Sequence, residues 1–184
     1  MQTRALSSLW WWCCCVALGG LCACGPRAPH TFQSHYDKGL EAYAAGRRTE
    51  AIAEYREAVR LNPTSAEAHN SLGAVLYDVG QTDAAIQEYE RALRLDPNLA
   101  EAHNNLGVAL LSTGQIAAAV GEYRQAAALK PELTDARYNL CLGWEILGQL
   151  QEALAQCQLA AQREPGRPGL ADAVARLQRK LEER

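Results

Sequence analysis

From Ala66 to Leu99, apolar side chains fall at helical spacing in two stretches. Ala68, Leu72, Val75, Leu76 and Val79 form one face; Ile86, Tyr89, Leu93 and Leu95 form another, with charged residues between them. The pattern predicts two helices meeting near Gly80, whose freedom to take the left-handed conformation ends the first one cheaply. Pro97 cannot continue the second helix and turns Asp96 away from helical geometry. Gly73 and Ala85 are small enough to let the two helices approach closely.

The same pattern returns every 34 residues. Pro63, Pro97, Pro131 and Pro165 keep that interval, as do Gly46, Gly80, Gly114 and Gly148. Two alanine series, Ala51, Ala85, Ala119, Ala153 and Ala58, Ala92, Ala126, Ala160, hold it as well. Tyr55, Tyr89 and Tyr123 follow, with Cys157 in the fourth slot. A fixed period of this length marks a stacked-repeat protein. Counted from Phe32, Ala66, Ala100 and Thr134, the second and third units open AEAHNSLG and AEAHNNLG.

These units resemble the tetratricopeptide repeat (TPR), with a large residue at position 4, Leu-Gly at 7–8, Ala at 20, an aromatic at 24, Ala at 27 and Pro at 32. The resemblance covers residues 32–167 as four repeats, 32–65, 66–99, 100–133 and 134–167. It implies an all-α protein, a right-handed α-solenoid in which each helix pair buries its apolar face against its neighbours. The ends depart from the middle. Lys38 stands where later repeats have Leu72, Leu106 and Leu140, and residues 168–184 carry Leu170, Val174, Leu177 and Leu181 on one stripe. That last segment reads as a helix capping the stack.

The start of the chain is different. Met1–Ser8 carries one charge, Arg4, and Leu9–Ala23 carries none. At about 15 residues the uncharged run is short of the roughly 20 that span a bilayer, and it fits the apolar region of a secretory signal. It ends Leu21-Cys22-Ala23-Cys24-Gly25, which resembles the lipobox of bacterial lipoproteins. That resemblance implies a signal peptide over residues 1–23, a lipid on Cys24 and a short linker over 24–31. It also implies a place in the bacterial cell envelope facing the periplasm, at the outer membrane rather than the inner because Gly25 is not Asp. Ordinary signal cleavage nearby and an uncleaved short anchor are the alternatives. The seven residues GPRAPHT, extended, reach roughly 25 Å and would hold the repeats close to the membrane.

Five of the seven cysteines lie in or at the end of this leader. The other two, Cys141 and Cys157, occupy positions 8 and 24 of the fourth unit, opposite each other across its helix pair. In an exported protein that points to a disulfide; two buried thiols are the alternative.

Little else in the chain suggests chemistry. It has no phosphate loop, dinucleotide fingerprint, HExxH or paired CxxC, so no enzyme and no cofactor is indicated. His35, His69 and His103 recur at 34 residues, too far apart along a stack for one metal, and read as packing between the two helices of each repeat. With 18 basic and 21 acidic side chains and no basic tract, nucleic acid is not an expected partner.

What remains is the concave wall, which in the TPR family is built from positions 2, 5, 9 and 12 of the first helix. Here it offers Tyr36, Leu40, Tyr43, Asn70, Tyr77, Asn104, Val108, Tyr138 and Leu142, with Glu67, Glu101 and Asp135 along one rim. Tyrosines give flat apolar area with a polar tip, and asparagines both donate to and accept from a peptide backbone. The basic clamp residues of chaperone-binding TPR modules are missing. The resemblance therefore implies a membrane-tethered scaffold or adaptor that binds a peptide or protein segment, neutral or basic, in its groove, with a pilotin-like role as a narrower candidate. The alternative is a structural subunit of an envelope complex that makes contact through convex or end surfaces.

Overall fold

The computed structural model describes residues 31–183, and among them the regular elements are all α-helices. They run α1 (Phe32–Ala44), α2 (Arg48–Leu61), α3 (Ala66–Asp78), α4 (Thr82–Leu95), α5 (Ala100–Ser112), α6 (Ile116–Leu129), α7 (Thr134–Ile146), α8 (Leu150–Arg163) and α9 (Leu170–Glu182). The odd-numbered helices α1 to α7 are the first (A) helices of the repeats, and α2 to α8 are the second (B) helices. The expected signal peptide, the expected lipidation at Cys24 and, apart from Thr31, the expected linker fall outside the described residues. No described helix is long and apolar enough to cross a membrane.

The turns follow the sequence closely. Gly46, Gly80, Gly114 and Gly148 each have φ between 74° and 81°, which reverses the chain from helix A to helix B. Thr31 and Ser65 cap α1 and α3, accepting from the backbone N–H of Ser34 and Ala68. Each A helix packs on its own B helix, and each B helix packs on the next A helix, giving an α-solenoid.

Within a repeat, the close approach depends on one contact. The rings of Tyr55, Tyr89 and Tyr123 lie over Gly39, Gly73 and Gly107, so near that an added Cβ would stand 2.6–2.7 Å from a ring carbon. Burial pushes the Tyr55 hydroxyl up to about 12 and raises Tyr89 and Tyr123 as well. The fourth repeat fills the same two slots with a disulfide between Cys141 and Cys157, whose Cα atoms are 5.4 Å apart. Both cysteines are fully buried.

Helix α9 lays Leu170, Ala173 and Leu177 onto α8, with Val174 and Leu181 half-buried beside them. It leaves Asp172, Gln178 and Arg179 exposed. At the other end, Lys38 and Glu41 of α1 are exposed. Glu145 of α7 holds α9 down: it accepts from Arg176 at 2.8 and 2.9 Å and from Lys180 at 2.7 Å. These cations hold its carboxyl at about 2.

Candidate functional site

The A helices place their exposed positions in one row along the stack, and inter-repeat hydrogen bonds link that row. The Tyr36 hydroxyl lies 3.2 Å from Ser71 Oγ. Asn105 Nδ2 donates to Asn70 Oδ1, and Asn139 Nδ2 donates to Asn104 Oδ1, both at 3.0 Å. Each bond joins residues 35 apart, so one polar ladder crosses α1, α3, α5 and α7. Asn70 and Asn104 use their carbonyl oxygens in these bonds and keep their Nδ2 groups as donors for a ligand.

Apolar area flanks the ladder. Leu40 is exposed, while Val108 and Leu142 are half-buried. Tyr36 stacks on Phe32 and packs with Tyr43 and Tyr77 against the first core cluster. The Tyr43 hydroxyl donates to Asp78 at 2.9 Å, and the Arg48 guanidinium covers its ring at 4.4 Å. At the far end, Arg167 covers the ring of Tyr138 at 4.9 Å. The expected site residues therefore share one surface, but Tyr43 and Tyr138 are already engaged by arginines.

The rim is less acidic than the sequence suggests. Lys130 donates to Glu101 at 2.6 Å and holds its carboxyl below the usual range. Arg167 pairs with Asp135, and Glu67 accepts from the Ser65 hydroxyl at 3.2 Å. Two of the three rim acids thus carry their own counter-charge. Any preference for a basic ligand rests on Glu67 alone.

The histidines sit on the other side of the A helices, where each is bonded as well as packed. Nδ1 of His35, His69 and His103 lies 2.6 Å from Oε2 of Glu54, Glu88 and Glu122. The glutamates recur at 34 residues too, always 19 beyond their histidine, so their period was the available signal. No cluster of three metal-ligating side chains occurs among the described residues.

Family models agree with this geometry. A TPR repeat model matches residues 39–80 and 75–114, and a tetratricopeptide repeat model matches 100–133, together more than half of the chain. The chain belongs to the tetratricopeptide repeat family. Among solved structures, this TPR protein resembles MamA at 28% identity, over 75% of this chain and 81% of that one, with a TM-score of 0.69. PilF of Pseudomonas aeruginosa is 25% identical over 83% of this chain and 69% of its own, with a TM-score of 0.76. YrrB, a TPR protein with an unusual peptide-binding site, shares the fold at 22% identity, covering 84% of this chain and 80% of that one, with a TM-score of 0.71. No curated protein matches the chain. A TPR stack of this build is a protein-interaction scaffold.

Proposed function

We propose that this TPR protein is a membrane-tethered adaptor that holds an extended peptide or protein segment in its concave wall during assembly of an envelope complex. The observation that carries the reading is the ladder through Asn70–Asn105 and Asn104–Asn139, whose remaining amide donors repeat along a groove flanked by Tyr36, Leu40, Tyr77, Val108 and Leu142. Backbone-directed amides favour an extended chain without demanding one sequence. The tether is a lipid on Cys24, at the end of the uncharged run.

The test is affinity capture from envelope extract with the wild-type chain and with Tyr77→Glu combined with Asn104→Ala. A partner held by the first bait and lost by the second supports the groove; a partner held equally by both sinks it. For the tether, Cys24→Ala should move the protein from the detergent phase to the aqueous phase.

A second reading, permanent contact through the convex side, is favoured by the character of α6 and α8. Ala117, Ala118, Ala128, Leu129, Ala155 and Leu159 are exposed there, whereas Asp83, Glu90, Arg91 and Arg94 line the same side of α4. Under that reading the groove variant keeps its partner.

A further inference from the structure

The three His–Glu contacts share one Nδ1–carboxylate geometry, and at His69 and His103 a second ring contact makes the closed clasp require an extra proton. Nδ1 of each ring faces a carboxylate oxygen at 2.6 Å. Nε2 of His69 faces the Pro63 carbonyl at 3.2 Å, and Nε2 of His103 faces the Pro97 carbonyl at 3.0 Å. A carbonyl only accepts, so Nε2 must carry a hydrogen. The short Nδ1–carboxylate contact then needs a second hydrogen, on the ring or on the carboxyl. Either way, the closed clasp holds one proton more than a neutral histidine beside an ionised glutamate.

Each of these clasps ties helix A to helix B of its own repeat, and those of His69 and His103 also hold the turn from the preceding repeat. The charged side chain facing each ring is the glutamate of helix B. On the packed elements, Arg60 pairs with Glu57, Arg94 with Glu90, and Lys130 with Glu101. At His103, the bonds to Glu122 and to the Pro97 carbonyl raise the ring above its ordinary value against the opposing effect of burial. Such a group stabilises the fold fully below the ordinary histidine range, and its contribution is lost as pH rises through the raised value.

The fourth repeat fills the same slots without a titrating group. Arg137 Nε donates to the Pro131 carbonyl at 3.1 Å, and its Nη1 donates to Gln156 Oε1 at 3.3 Å. Guanidinium stays charged and the amide stays neutral across the range where imidazole changes.

We propose that the second and third repeats form a pH-responsive segment beside a pH-indifferent fourth repeat, so that raising the pH loosens α3 to α6 and leaves α7 and α8 as they were. Loss of the shared proton leaves one ring nitrogen of His69 and of His103 without a hydrogen, facing either the carboxylate or the carbonyl. That segment carries Asn70, Asn104 and Asn105 of the asparagine ladder.

Amide hydrogen exchange of the full chain tests this at about pH 6 and about pH 8.5, corrected for the intrinsic pH dependence of exchange. Protection in α3 to α6 should fall about tenfold or more at the higher pH, while that in α7 and α8 holds. A uniform change across all helices, or none, would overturn the proposal. Exchanging one clasp for the fourth repeat's version, His69→Arg with Glu88→Gln, should remove the response from α3 and α4; a response that persists there would also overturn it. Should that variant fail to fold, histidine proton resonances of the wild type are titrated in buffer and in urea. The His103 ring should titrate higher in buffer, and an equal midpoint in urea would count against the clasps.

Discussion

In the first three repeats a tyrosine ring lies over a glycine of the facing helix, while in the fourth a bond between Cys141 and Cys157 occupies those two slots. The clasp changes in step: His with Glu in the first three, Arg with Gln in the fourth. In both cases two positions change together and the helix pair keeps its packing. A repeat therefore specifies pairs of positions rather than single residues. Glycine is needed only because a tyrosine covers it, and each partner makes sense only beside the other. The consequence is a stack whose spacing is uniform while its chemistry differs from one end to the other.

The largest way to break that comparison is Tyr123→Ala, which empties the space over Gly107. It should cost about 3–5 kcal/mol, read as a lower urea midpoint. Reduction of the fourth repeat comes next. The bond closes a loop with a sequence separation of 16 and should contribute about 3 kcal/mol. Melting should drop with reductant, and Cys141→Gly with Cys157→Tyr, the form of the other repeats, should melt alike with and without it. Identical melting of the wild type in both conditions would refute the contribution.

Glu145→Gln strikes the contact that seats α9 and should cost on the order of 1.5–3 kcal/mol, with faster proteolysis of residues 168–184. Because the Glu145 carboxyl is held at about 2, its contribution is present above the ordinary carboxylate range and is lost as pH falls through about 2. The variant should lack that acid limb. Smallest is Lys130→Ala at an exposed pair, where melting should stay within the scatter of repeated scans while the rim gains a bare Glu101.

Much of the fold could be read from spacing alone. Helix ends, glycine turns and the stripe of α9 depend on neighbours three or four residues apart, and the interval of 34 repeats them. The row on the A helices was legible for the same reason. What the spacing hid was pairing at a distance. Lys130 reaches Glu101 across 29 residues and Arg167 reaches Asp135 across 32, so neither shows in a helical pattern. The His–Glu pairs join different helices, and only a shared period connects them. The ladder bonds, 35 apart, pair position 5 of one unit with position 6 of the next, a relation that a count within one repeat does not reveal.

The disulfide also bears on how the chain finds its register. Repeats two and three open with nearly identical sequences, so their helices can exchange places during folding, a hazard of tandem arrays. Cys141 and Cys157 are the only cysteines among residues 31–183. If α7 settles against the wrong B helix, the two thiols lie a helix or more apart, beyond the roughly 7 Å between Cα atoms that a bond can bridge. Closure of that bond is then available only to a chain assembled in frame, and a misframed chain stays marked by free thiols.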